Sequence, residues 1–421
     1  MSVFIGSIPN CTKEDVALAK SILKESRNDS ESLSSLQKYF EGMFPNKYVY
    51  LFNRGRDSLY FFLKLLNLSS DDEVIVQPFT CVSAVAPILW ANCNPVYVDI
   101  SKSSFNLDLE ELKKKITEKC KVIVIQHTFG NIANTKKVRD LVDRINRGRE
   151  YENRIYIVED CAHIFVENYQ DFDIGKYSDA VFFSFAQDKC LSSTQGSVLV
   201  IKKSPVFTNS VAQYSEVEEQ GRLSSLYNAS YIVHWDLIKR TYFKTIIPFT
   251  NITLGRALVV LFRTLGLIKK QADGKSIKYD GIHKMSGVQA ELLQEQVKRI
   301  KLFNEHRKKI SSIYDNLLRK EFVFEGKGGN EILLRYPVLV KNPNELKNRL
   351  RDIRVITGRW YSSPVYPLDK GFYKDIKMMS GMYPNNKFCC KYILNLPLNI
   401  EVDMGTAVKV CDIVNRYGEC I

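Results

Sequence analysis

Ile155-Tyr-Ile-Val-Glu-Asp160, Cys161-Ala-His163, Asp179-Ala-Val-Phe-Phe-Ser184, Phe185-Ala-Gln-Asp-Lys189 and Gln195-Gly196-Ser-Val-Leu-Val-Ile201 follow one another within a single stretch of the chain. Three apolar runs of strand length are set among polar residues. The first ends on two carboxylates. The second ends on a serine, with a lysine five positions later. The third starts just after Gly196. A buried strand that delivers polar groups at its carboxyl end is how open α/β sheets build sites. Taken singly, Asp160 is an acidic loop residue and Lys189 a surface lysine. Taken together they mark a site.

The rhythm extends upstream. Tyr48–Phe52, Glu73–Val76, Pro95–Asp99 and Lys121–Ile125 read as strands, and Leu59–Leu66, Val82–Ala91, Leu109–Ile116 and Val138–Ile145 as helices. Short strands alternating with helices predict an α/β fold with a mainly parallel sheet covered on both faces. Two helices are expected over residues 12–43, the first with a Thr12–Asp15 capping box and the second capped by Ser30. Downstream, apolar residues at helical spacing predict one long helix over 284–318, then a strand over 331–340, a helix over 345–353, a strand near 392–398 and a helix over 406–414.

With 421 residues the chain is too long for one ordinary core. We expect a helical N-terminal arm (1–47), a large domain (48–280) and a smaller C-terminal α/β domain (281–421). Residues 203–280 interrupt the large domain's rhythm. Their apolar run, 245–268, contains Pro248, Asn251, Arg256 and Arg263, which makes it a poor membrane span. It is expected either to pack on the protein or between subunits, or to lie as an interfacial helix on an anionic membrane.

The formal charge of +13 suggests an anionic partner. That partner is a phosphorylated small molecule, a membrane surface or nucleic acid; the lysines are scattered with no basic block, so nucleic acid, which rests on charge alone, ranks lowest. None of the ten cysteines forms a CxxC pair, and no metal site is expected. They read as small buried hydrophobes in a reducing compartment. Met1-Ser-Val-Phe-Ile-Gly6 has neither a charged start nor a sustained apolar run, so no signal peptide is expected and the protein is placed in the cytoplasm, with contact at the inner face of the membrane as the variant.

Asp160, His163, Ser184 and Lys189 supply a carboxylate, an imidazole, a hydroxyl and an amine within 30 positions. Upstream, Asn53-Arg-Gly55-Arg56-Asp57-Ser58 opens a helix, whose terminal amides suit a phosphate. A lysine that links an aldehyde, an acid that holds a pyridinium nitrogen and a phosphate cup describe a pyridoxal 5'-phosphate (PLP) site.

On these residues the chain resembles the DegT/DnrJ/EryC1/StrS family of sugar aminotransferases, from about residue 48 to 201 and again from 282 to about 415. The resemblance implies a fold-type-I PLP transferase with a seven-stranded-type sheet. It implies that Asp160 meets the pyridine nitrogen, that His163 lies near the phenolic oxygen, that Ser184 meets the phosphate and that Lys189 links the cofactor. Gly55-Arg56-Asp57-Ser58 resembles the phosphate turn, with Asp57 giving its amide or capping the helix. Gln77-Pro-Phe-Thr80-Cys81 resembles the segment over the cofactor ring, with Cys81 where the family has an aromatic; Phe79 or Phe129 are the candidate substitutes. Pro95–Asp99, His127–Gly130, Lys284–Ala290 and Leu394–Leu398 resemble further blocks. The loop after Lys189 keeps one glycine, Gly196, and Ile282 stands near where many members carry a cross-subunit Asn. The implied activity is amino transfer from glutamate to a nucleotide-linked keto-sugar, by a homodimer, in surface-glycan or secondary-metabolite synthesis. The alternative is a PLP-binding regulator or scaffold of glycan assembly.

Overall fold

The structure is a computed structural model. It describes residues 2–8, 10–25, 29–246, 253–269, 277–326, 328–329, 331–379 and 381–421.

The elements run β1 (Val3–Phe4), α1 (Lys13–Lys24), α2 (Asp29–Met43), β2 (Lys47–Phe52), α3 (Gly55–Leu65), β3 (Glu73–Val76), α4 (Val82–Trp90), β4 (Asn94–Tyr97), α5 (Leu109–Lys115), β5 (Cys120–Gln126), α6 (Thr135–Asn146), β6 (Tyr156–Asp160), β7 (Ala180–Ser184) and β8 (Ser197–Lys202). Then come α7 (Ser210–Ser215), α8 (Arg222–Thr241), α9 (Leu254–Thr264), α10 (Gly287–Val297), α11 (Ile300–Leu317), β9 (Arg335–Leu339), α12 (Pro343–Asp352), β10 (Val355–Ile356), α13 (Pro384–Tyr392), β11 (Ile393–Pro397) and α14 (Met404–Tyr417).

Seven strands form one sheet in the order β2-β8-β7-β6-β5-β3-β4. All neighbours pair in parallel except β8, which runs against both β7 and β2. Successive side chains of a strand point to opposite faces. Val122 and Val124 of β5 therefore join the core under α3 and α4 with Leu59, Phe62 and Val85. Ile123 and Ile125 join the core under α5 and α6 with Leu112, Val138 and Val142. This two-sided burial is why the strands read as continuous apolar runs. At the carboxyl edge the ladder sets Gln126 opposite Asp160, and Asp160 opposite Phe182. Polar groups from separate strands thus reach one rim.

The remaining elements wrap this edge. β1 pairs in parallel with β10, so residues before α1 are tied to the C-terminal part of the chain. Val16, Ala19 and Ile22 of α1 share a core with Ile232, Trp235 and Ile238 of α8 and Leu292 of α10. β9 and β11 form an antiparallel pair, packed with α11 and α14.

The structure corrects several expectations. The capping box of α1 is present, with the Thr12 N–H donating to Asp15 Oδ2 at 2.7 Å. Ser30, however, lies inside α2 and does not cap it. The long helix divides into α10 and α11 at Lys298–Arg299. No glycine or proline marks the break, and Val297 and Ile300 continue the apolar pattern through it. There the Arg299 guanidinium turns aside to Asp15, 2.6 Å away. The strand expected over 331–340 is confined to Arg335–Leu339. Residues 203–246 form α7 and α8, and the described part of the apolar run forms α9; its residues 247–252 lie outside the described ones. Among the described residues no helix is long and apolar enough to cross a membrane.

Candidate active site

A cavity of about 750 Å³ opens at the carboxyl edge of the sheet. Its floor carries Gly55, Gln126, Asp160, His163, Ser184 and Lys189. These come from the start of α3, the ends of β5, β6 and β7, and the loops after β6 and β7.

Asp160 is 5 % exposed and accepts a hydrogen bond from the Ala162 N–H at 2.9 Å. Burial pushes its carboxyl up, against the opposing pull of that N–H and of the Lys189 charge. A cation placed against it would reverse this, which is what a protonated ring nitrogen supplies.

His163 lies beside it. The Phe129 N–H donates to its Nδ1 at 3.1 Å, so the proton sits on Nε2, 3.4 Å from the Tyr361 hydroxyl. Burial, reinforced by the Lys189 and Arg335 charges, holds the imidazole well below its ordinary range. It is a neutral donor facing the cavity.

The two segments expected to hold a phosphate approach each other closely. A Cβ added at Gly55 would stand 3.2 Å from Ser184 Cβ and 3.3 Å from its Oγ. Gly55 opens α3 directly against Ser184, where a side chain would crowd it; the Asp57 N–H is already taken by Arg54 O at 3.0 Å. Arg56 lines the same cavity, its guanidinium 3.5 Å from Asp280 and 5.6 Å from the centre of the Trp90 ring. Asp57 does not cap the helix with its side chain. Arg54 is the N-cap, and Asp57 is buried with its carboxylate bridged to the Arg54 guanidinium at 2.8 Å.

Lys189 stands in the loop after β7, its Nζ 3.9 Å from Asp188 Oδ1. The loop closes through the Phe185 N–H to Gly196 O at 2.8 Å. Gly196 has φ +132°, and a Cβ there would meet Ser193 Oγ at 2.7 Å. The missing glycines are replaced by a tether. Thr194 adopts φ 67° and its Oγ1 donates to Asn228 Oδ1 of α8 at 2.6 Å. The Tyr231 hydroxyl of α8 donates to Gln187 Oε1 at 2.7 Å. The segment that breaks the sequence rhythm thus braces the loop that carries the lysine.

Cys81 lines the cavity. Phe79 and Phe129 do not replace the missing aromatic. Both are fully buried, Phe79 edge-on to Tyr361 and Phe129 nearly parallel to it. The aromatic surface comes from elsewhere. Trp360, Tyr361 and Tyr366 line the cavity, delivered by a segment that bonds to the Thr80–Cys81 turn. The Tyr366 N–H donates to Thr80 O, and the Val82 N–H to Tyr366 O, each at 2.8 Å. These tyrosines lie about 280 positions from Cys81, and only the pattern Trp360-Tyr361-Ser-Ser-Pro-Val-Tyr366-Pro, dense in aromatics, signalled them. Tyr227, Tyr231, Trp235, Arg263 and Lys269 complete the roof. His127 turns away from the site. It is fully buried, bonded to Glu159 at 2.9 Å and accepting from the Ala133 N–H at 3.0 Å.

Sheet order and cavity together place the chain among the α/β sugar-aminotransferase folds. It superposes on the putative sugar aminotransferase Spr1654 from Streptococcus pneumoniae, in its PMP-form, with TM-score 0.72 at 19% identity, covering 99% of this chain and 97% of that one. PseC of Helicobacter pylori, an aminotransferase of pseudoaminic acid biosynthesis, gives TM-score 0.68 at 16% identity over 99% of both chains. The chain belongs to the DegT/DnrJ/EryC1/StrS aminotransferase family, whose profile matches residues 10–216 and 255–415. GDP-perosamine synthase of Vibrio cholerae is 30% identical over 179 residues, 41% of this chain and 47% of that protein. A putative L-glutamine:3-amino-2,3-dideoxy-scyllo-inosose aminotransferase of Micromonospora echinospora is 28% identical over 205 residues, 47% of each. The chain thus spans about half the length of the curated relatives it matches.

Proposed function

We propose that the protein is a PLP-dependent aminotransferase that moves an amino group from glutamate to a keto-sugar carried on a nucleotide. The observation that carries this reading is the single cavity shared by Asp160, Lys189, Ser184 and Gly55. When bound, the cofactor supplies an electron sink for the carbon that loses or gains the amine. The residues have separate tasks. Lys189 Nζ links the cofactor and, once released, carries a proton to and from the reacting carbon. Asp160 keeps the proton on the ring nitrogen. Ser184 and the amides at the start of α3 hold the phosphate, and His163 Nε2–H offers a donor beside the ring. The cavity is larger than a cofactor fills, and Tyr227, Trp235, Arg263 and Lys269 on its outer side suit a ring system with phosphates. We read residues 48–280 as the cofactor-holding domain and 281–421 as the part that closes on it.

The exposed Val260 and Leu261 of α9, with Leu265 just after it, support burial against a second copy, in a cytoplasmic homodimer. The sizing of the protein on a column tests this: a single monomer peak rules it out.

A regulator or scaffold that binds PLP without turnover is the second reading, motivated by Cys81 at the ring position. One experiment separates the two. Glutamate added to the PLP-loaded protein converts the aldehyde form to the amine form in the first reading, and a panel of nucleotide-linked keto-sugars then names the acceptor. Unchanged cofactor absorbance with glutamate and with glutamine contradicts the first reading.

A further inference from the structure

Asp188 directly precedes Lys189 and entered the sequence reading only as a spacing residue. In the structure it has a fixed place. Its Oδ1 lies 3.9 Å from Lys189 Nζ. Its Oδ2 and its own carbonyl oxygen both receive Nη2 of Arg335, the second at 3.2 Å. Arg335 comes from β9, about 147 positions away, and is 1 % exposed. Its guanidinium centre stands 3.7 Å from the centre of the Trp360 ring, and among the described residues its Nε and Nη1 have no hydrogen-bond partner. Among the described residues, the side-chain hydrogen bonds of Arg335 therefore go to Asp188. Burial alone would raise the Asp188 carboxyl, but the Lys189 and Arg335 charges outweigh it and hold it well below the usual range.

We propose that Asp188, locked in place by Arg335, is a positioning residue that keeps the proton on Lys189 Nζ and thereby sets the pH at which that nitrogen turns from acid to base. The inference rests on the PLP reading above. Its physical basis is the sum of the charges around one atom. Lys189 Nζ faces two carboxylates, Asp160 and Asp188, with the neutral His163 and the Cys190 thiol beside them. Asp188 in turn faces Arg335 and the tyrosines Tyr231, Tyr361 and Tyr366, whose phenols burial keeps protonated. In the PLP-loaded protein Asp160 serves the ring nitrogen, so Asp188 is the carboxylate that offsets the Arg335 charge beside Nζ. Without Asp188 charge, Arg335 becomes an uncompensated buried cation close to Nζ, and the proton on Nζ is disfavoured twice.

The test is a spectroscopic pH titration of the PLP-loaded protein, because the absorbance of the lysine-linked cofactor reports whether Nζ is protonated. Asp188→Asn keeps the shape and the oxygen that Arg335 reaches but removes the charge. We expect its midpoint to fall by about one pH unit or more. Asp188→Glu restores the charge and the wild-type midpoint. Arg335→Gln leaves Asp188 charged and unneutralised and moves the midpoint the opposite way, upward; it also decides the matter alone should the asparagine variant not fold. An unmoved midpoint in loaded Asp188→Asn overturns the inference, as does a shift of the same sign in both variants. A wild-type protein that takes up no PLP instead overturns the functional reading on which it stands.

Discussion

Two surfaces face each other across the cavity, and they are made by different means. The floor consists of strand ends. Asp160 and Ser184 are the last residues of β6 and β7, and each is fixed by the ladder of the sheet. The roof is assembled from α8, from the end of the α9 segment and from the Trp360–Pro367 stretch. Its helix α8 is tied to the lysine-bearing loop of the floor by side-chain bonds, Tyr231–Gln187 and Thr194–Asn228. A backbone ladder places a carboxylate with no help from its neighbours. A roof of side-chain contacts is adjustable, because no one residue defines it. On the function proposed above, chemistry would fall to the first kind of surface and choice of substrate to the second.

If that division is real, floor substitutions act on turnover and roof substitutions on substrate affinity. Lys189→Ala should have the largest effect, removing the covalent link and lowering kcat roughly 1,000-fold or more, read in steady-state assays and as loss of the absorbance band. Next, Asp160→Asn should keep the fold and the Ala162 N–H bond yet lower kcat by about 100-fold, since a neutral side chain no longer holds a proton on the ring nitrogen.

The joint between floor and roof comes third. Gly196→Ala puts a Cβ 2.7 Å from Ser193 Oγ at φ +132°. We expect about 2 kcal/mol or more of destabilisation in urea unfolding, with cofactor release as an early event. On the roof itself, Trp235→Ala should raise KM for the sugar substrate about tenfold while the half-reaction with glutamate keeps its rate. A Trp235→Ala protein that loses the glutamate half-reaction would erase the distinction between the two surfaces.

The smallest effect concerns pH. His163 is neutral when folded because burial lowers its pKa, whereas in the unfolded chain it titrates near its ordinary value. As pH falls through that ordinary value the unfolded chain takes up a proton that the folded one refuses. Stability is therefore present above it and lost below it, by at most ~1.4 kcal/mol per pH unit for this one group. Denaturant titrations from pH 7.5 to 5 should show a shallower acid loss in His163→Gln than in wild type.

The floor was legible in the sequence and the roof was not, for the same physical reason. Strands buried on both faces leave runs of apolar residues that stop where polar groups begin, so Asp160 and Ser184 announce their places. Gly55 was also legible, through its position at the start of a helix. Trp360, Tyr361 and Tyr366 reach the cavity by tertiary contacts that leave no local period. The same holds for the division of α10 from α11 at Arg299, which pairs with Asp15 near the other end of the chain. Asp188 is the sharpest instance. It was read inside a recognised motif, but its meaning depends on Arg335, which no spacing within that motif reveals.

The central claim is that one cavity holds PLP with Lys189 as its covalent anchor. Reduction of the PLP-loaded protein with borohydride, followed by peptide mass spectrometry, tests it directly. The reading here requires the phosphopyridoxyl label on the peptide that carries Lys189 and its absence in Lys189→Ala; a protein that binds no PLP, or one labelled on a different lysine, would contradict it.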